Sequence, residues 1–156
     1  MRAFFFSFAV MLSACGQPAH DTHHDTSSAL VPATSALEVR DAWAPPTPNG
    51  VDVSAGYAVI VNGTDVDDHL ISASSSRAQR VEIHEMAMDG NVMRMRRIDA
   101  LPIPARGQTP LAPHGRHLMF FGVAHAFAPG EQIPVALTFE HAGTIETTLA
   151  VRIGGQ

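Results

Sequence analysis

The sequence predicts an all-β domain, a sandwich or barrel of short strands. Three observations carry that expectation. Short apolar or alternating runs recur along the chain, each bounded by Gly, Pro, Asn or Asp. No stretch shows a convincing helical period. The Asp89-Gly90 dipeptide, set between two alternating runs, is the strongest short hairpin signal in the chain.

Taken in order, Leu37 to Trp43 reads as the first strand. Pro45, Pro46, Pro48 and Gly50 then make an irregular loop. Ala55 to Asn62, AGYAVIVN, is an apolar, β-rich run that ends at the Asn62-Gly63 turn. His69 to Ala73 is a short strand, and Gln79 to Met88 with Val92 to Ile98 forms the hairpin. Leu101 to Gly107 is Pro-rich, and Thr109-Pro110-Leu111 is at most an edge strand, because proline donates no ladder hydrogen bond. His117 to Val123, Gln132 to Phe139 and Thr144 to Ile153 complete the set. There is no internal repeat.

At 156 residues the natural reading is one domain plus a processing segment. The 46% apolar content suits a packed core, and 15 acidic against 10 basic residues lack the basic footprint of a nucleic-acid binder. Met1 to Cys15 has a positive Arg2 and then an apolar run, the pattern of a secretory signal too short to span a membrane. Its end, Leu12-Ser13-Ala14-Cys15, resembles a bacterial lipobox, which implies cleavage before Cys15 and its lipidation; ordinary signal cleavage nearby, or a buried Cys, is the alternative. The expected organisation is a signal peptide over 1–14, a lipidated Cys15 and disordered linker over 15–36, and a β domain over 37–156. Gly16 after Cys15 is compatible with outer-membrane sorting. The linker's His20, His23 and His24 form either a weak accessory metal tract or a merely polar tether. Cys15 is the only Cys, so no intrachain disulfide forms.

One spaced set of side chains stands out: His84, Met95, His117 and Met119, in the pattern H-x10-M-x21-H-x-M. Two imidazoles and two thioethers favour a soft ion, above all Cu(I). If Asp89 and Gly90 are the hairpin loop, His84 faces Met95 and Met86 faces Met93 across the strands. His117 and Met119, two apart on a third strand, share one face. Against this stands the plain reading that methionine on a strand is core filler. With nine His and seven Met in the chain, some such spacing arises by chance.

VEIHEMAMDGNVMRMR, followed by HLMFFG, resembles the PCuAC (DUF461) family of periplasmic copper chaperones, whose signature H(M)x10Mx21HxM is matched at all four positions. Segments around Val39 to Ala44, Ala55 to Tyr57 and Pro134 to Glu140 are also similar, so the likeness spans Leu37 to Ile153. Pro45, His114 and the Phe120-Phe121 pair depart from the family's usual residues without removing a signature ligand. The resemblance implies a cupredoxin-like Greek-key β-sandwich or barrel that binds Cu(I). It also implies delivery of copper to the CuA centre of cytochrome c oxidase subunit II, alongside Sco-type thiol proteins. A monomeric, periplasm-facing lipoprotein held to the bacterial envelope by its lipid anchor is the expected form.

Other motifs carry less. Met86, Met88 and Met93 are candidates for auxiliary copper ligands or for core and rim, and His114 for a transient ligand. Asp65-Val66-Asp67-Asp68 lacks the spacing of an EF-hand and reads as a solvated turn. No Ser-His-Asp set, Cys-His set or phosphate-cradling Gly loop is visible, so no enzyme is expected. An electron-transfer blue-copper site needs a Cys thiolate in the domain, and the one Cys lies at the lipobox. Envelope copper storage or scavenging is the remaining alternative.

Overall fold

The computed structural model describes residues 36–90 and 92–154. These fall within one compact unit, Pro32–Gln156. Cys15, His20, His23 and His24 lie outside the described residues. The fold is all-β, with ten strands and no helix among the described residues. They are β1 (Leu37–Ala44), β2 (Val53–Asn62), β3 (Asp68–Ser74), β4 (Arg80–Asp89), β5 (Val92–Arg97), β6 (Leu101–Ile103), β7 (Gln108–Leu111), β8 (Arg116–Phe121), β9 (Gln132–Phe139) and β10 (Gly143–Val151).

The strands run β5-β4-β8-β2-β1-β10-β9-β3-β6, with β7 on β2. A pairing of Ala73 with Val81 joins β3 back to β4 and closes the sheet on itself. β1 and β10 pair parallel. Alternation builds the interior: along β2 the odd residues are half-buried while Ser54, Gly56, Ala58, Ile60 and Asn62 are buried. Ile133, Val135, Leu137 and Phe139 do the same on β9. Phe120, Phe127, Leu118, Leu70 and Leu149 fill the centre, each buried side chain contributing roughly 1.5–3 kcal/mol. Gly56 makes this packing possible, because a Cβ there would lie 2.8 Å from both Phe120 Cε2 and Leu149 Cδ1.

One strand departs from the sequence expectation, and one expected as at most an edge strand is present. Leu101–Ile103 forms β6 within the Pro-rich stretch, and Gln108–Leu111 forms β7. Pro110 is tolerated because β7 has one ladder neighbour, β2. Thr109 Oγ1 donates to Pro102 O at 2.8 Å and ties the two strands together. The acidic stretch before β3 is structural. Asp65 pairs with Arg106, Asp67 Oδ1 accepts from Ala105 N, and the buried Asp68 accepts from the amides of His69, His141 and Ala142.

Candidate metal centre

Five neighbouring strands, β5, β4, β8, β2 and β1, share an outward face opposite the core. In register, His84 on β4 lies directly opposite His117 on β8. Their ring centroids are 6.0 Å apart. Imidazole nitrogens ligate first-row ions at about 2.0–2.1 Å, so two rings at this separation can share one ion. Beyond His117 the row continues to Tyr57, at 6.5 Å between centroids, and from Tyr57 to Trp43 at 4.6 Å. Burial raises the Tyr57 hydroxyl above its ordinary pKa, so it stands as a neutral phenol.

Trp43 reaches this face through a β-bulge. Pairing slips between Arg40 and Trp43, where Asp41 has φ 50°. The extra residue reverses the alternation. Val39 packs on the core before it, Trp43 turns outward to pair with Tyr57 after it, and Ala44 turns inward.

The hairpin joins the site in a register different from the one expected. Pairing continues to Asp89 and Val92, so Met86 opposes Met95, Met88 opposes Met93, and His84 opposes Arg97. His84 and Met95 are therefore diagonal neighbours, not a facing pair. The slip equals two residues of pairing, an even number, so every side chain keeps its face. Met119 lies opposite Glu82 on one side and the small Ala55 on the other. His84, His117 and Met119 thus form a contiguous three-donor set. Met95 stands across β4 from Met119, two strand spacings and four residues away, each spacing about 4.8 Å and each residue about 3.4 Å on a flat sheet. The hairpin beyond Glu85 no longer pairs with β8, so its free twist sets how near Met95 comes to the imidazoles.

The tautomer of each neutral ring follows from its oxygen partner. Glu82 Oε2 lies 2.8 Å from His84 Nε2, and a carboxylate only accepts, so Nε2 carries the proton. The lone pair then sits on Nδ1, which is buried with no hydrogen-bond partner. His117 Nδ1 donates to the Gly115 carbonyl at 3.1 Å, leaving Nε2 as its lone-pair nitrogen. The same carbonyl accepts from Met86 N at 3.1 Å and pins the loop before β8 to the hairpin. Metal-ligating histidines commonly have their second nitrogen engaged this way, and the orphaned His84 Nδ1 is the atom a metal would satisfy.

Glu82 also accepts from Arg80 Nε at 2.9 Å. The hydrogen bond from His84 and then that from Arg80 hold its carboxyl below the usual carboxylate range. Arg80 in turn lies 4.1 Å over the Phe121 ring, which flanks His84 at 5.9 Å. The soft-ligand pattern in the sequence passes over Glu82, Arg80, Tyr57 and Phe121. Strand alternation would have put Glu82 and Arg80 on the face of His84.

The site grades from closed to open: His117 is 5% exposed and Met95 47%. Met93 is exposed, which excludes it from the core, and Met86 is half-buried beside Met95. His114 is exposed, in the loop before β8, with φ 64°. Among the described residues no three His, Cys, Asp or Glu side chains form a metal group. Two imidazoles with thioethers suit a soft monovalent ion.

Residues 37–151 match a family model described as "LpqE-like: Putative lipoprotein LpqE-like". The chain is 26% identical to "Putative lipoprotein Lxx21020" of Leifsonia xyli subsp. xyli over 132 residues, 83% of this chain and 78% of that protein. Among solved structures it resembles the copper-bound PCuAC domain from PmoF2, with TM-score 0.66 at 24% identity over 76% of this chain and 93% of that one. It also resembles the Cu(I) form of DR1885 from Deinococcus radiodurans, with TM-score 0.63 at 23% identity over 88% and 94%. The fold is therefore that of the PCuAC domain, the cupredoxin-like β architecture expected.

Proposed function

The chain belongs to the LpqE-like lipoprotein family, and from that premise we propose that it is an envelope copper chaperone binding one Cu(I) through His84, His117, Met119 and Met95. One observation carries the reading. Both imidazoles commit an N–H to an oxygen acceptor, and His84 Nδ1 is left buried and unpartnered on the face that bears Met119. Solved structures of the same fold carry copper, by their own descriptions.

The ligands are neutral, so the ion keeps its positive charge and no thiolate holds it. That chemistry favours release over storage. Met95, half exposed at the edge, gives an acceptor a thioether through which to withdraw the ion. The acceptor we propose is the CuA site of cytochrome c oxidase subunit II, with Sco-type proteins acting beside it. Anchoring through a lipid on Cys15 places the chain at the periplasmic side of a membrane. A Cys15→Ser protein that still fractionates with membranes would refute the anchor.

The function is tested by competitive Cu(I) titration of the mature chain. Met95→Leu and Met119→Leu nearly conserve volume, so they leave the fold intact, and together they should abolish tight Cu(I) binding. Wild-type affinity in that double variant would overturn the site. Transfer is tested by mixing the loaded protein with a copper-free soluble domain of subunit II. Formation of the CuA absorption once the mixture is oxidised by one electron per site with ferricyanide supports delivery, and its absence after that oxidation favours storage or scavenging.

A further inference from the structure

We propose that the outer half of the hairpin holds a second soft-ion site, formed by the thioethers of Met86, Met88 and Met93 next to Met95. It rests on the Cu(I) reading above and extends it to residues outside the signature.

The register carries the argument. Met86 opposes Met95 and Met88 opposes Met93. Alternation puts all four on the face of His84. Directly opposed strand residues have Cβ atoms about 4.5–5.5 Å apart. The result is a square of thioethers on long, flexible stems that adapt to an ion. Packing does not account for them. Met88 is 63% exposed, Met93 51% and Met95 47%, and with Val92 they are prominent among the exposed hydrophobic side chains of the described residues.

The surrounding charges fit a soft monovalent ion. Arg94 and Arg96 alternate to the opposite face of β5, where Arg94 pairs with Asp89 at 2.8 Å and Arg96 with Glu85. Glu85 and Asp89 occupy that opposite face as well, so among the described residues no carboxylate stands between the four methionines; Arg97, opposite His84 and two residues beyond Met95, bounds their face on the inner side and pairs with Asp99. Among the described residues a hard divalent ion finds no side-chain oxygen ligand between these methionines. Cu(I) or Ag(I) accept thioether sulfur, and Arg97 stands on the His84 side of Met95, outside the square. Met95 adjoins both this square and His84, so an ion leaving the outer site moves inward by exchanging one thioether for another.

The test is a titration of the mature chain with Ag(I), followed by the methyl signals of carbon-13-labelled methionines. The first equivalent should move Met119, and the second should move Met86, Met88 and Met93. The Met88→Leu, Met93→Leu double variant should lose the second response and keep the first. Both substitutions fall on exposed side chains, and circular dichroism checks the fold. If Met88 and Met93 stay unmoved through two equivalents, or the double variant still takes two, the outer site is refuted. A response confined to the outer methionines, with Met119 silent, would instead refute the inner site.

Discussion

The Glu82 carboxylate spans two partners, accepting from His84 Nε2 at 2.8 Å and Arg80 Nε at 2.9 Å. It fixes the tautomer that leaves His84 Nδ1 free to ligate. Glu82→Gln keeps the shape, removes the charge and can present an N–H where the ring needs an acceptor. Loss of an outer-shell partner of a metal-bound histidine costs about 10–100-fold in affinity. Cu(I) competition should therefore show weakening of at least about 10-fold in Glu82→Gln with its thermal midpoint nearly unchanged. Equal affinity in the two proteins would mean that Glu82 does not orient the ring. The four proposed ligands stand out in the sequence because two ligand types recur at a spacing that resembles the PCuAC signature. Glu82 does not, because a carboxylate is no soft-metal ligand, although it stands two residues before His84 on a strand.

Among the elements, the hairpin shows why some register was readable and some was not. Alternation over Val81 to Met88 fixes the face, and any even slip leaves it fixed. Asp89-Gly90 marks the turn but not which residue opens it: Gly90 takes φ 63°, and Asp89 pairs with Val92 instead of entering the loop. β6 is not legible as a strand for a different reason: Pro102 breaks the pattern, yet it projects outward at a position that spares the ladder, as Pro110 does in the edge strand β7 that the sequence does suggest. The β9–β10 turn depends on a residue far away in sequence. Asp68 Oδ1 accepts from His141 N at 3.0 Å and Oδ2 from Ala142 N at 2.9 Å, while Oδ1 also accepts from His69 N at 2.7 Å. Asp68→Asn replaces one acceptor oxygen by a donor facing an amide. Leaving a buried group unsatisfied costs about 1–3 kcal/mol. Denaturant unfolding should show a loss of that order, about 1–3 kcal/mol, and an unchanged midpoint would remove Asp68 from its capping role.

For the whole molecule, the closed sheet could be anticipated as an all-β sandwich or barrel, but its closure through Ala73 and Val81 is a long-range contact without a local signal. Several carboxylates are held below their ordinary range in the folded state. Burial opposes this at Asp68, but the backbone amides of His141, His69 and Ala142 outweigh it, and at Glu131 the hydrogen bond from Arg77 leads. Each such group binds its proton more tightly unfolded than folded. Its contribution is full above the unfolded pKa and is lost as pH falls through the lowered folded value. Thermal unfolding should therefore be insensitive to pH near neutrality and fall steadily below about pH 4, the ordinary carboxylate range; a midpoint constant through that acid range would contradict this assignment. The central claim concerns the metal. X-ray absorption of the mature chain loaded with one equivalent of Cu(I) tests it most directly. The account predicts a mixed shell of imidazole nitrogen and thioether sulfur, about two of each, whose sulfur component shrinks in Met119→Leu. A shell of nitrogen and oxygen alone would contradict it.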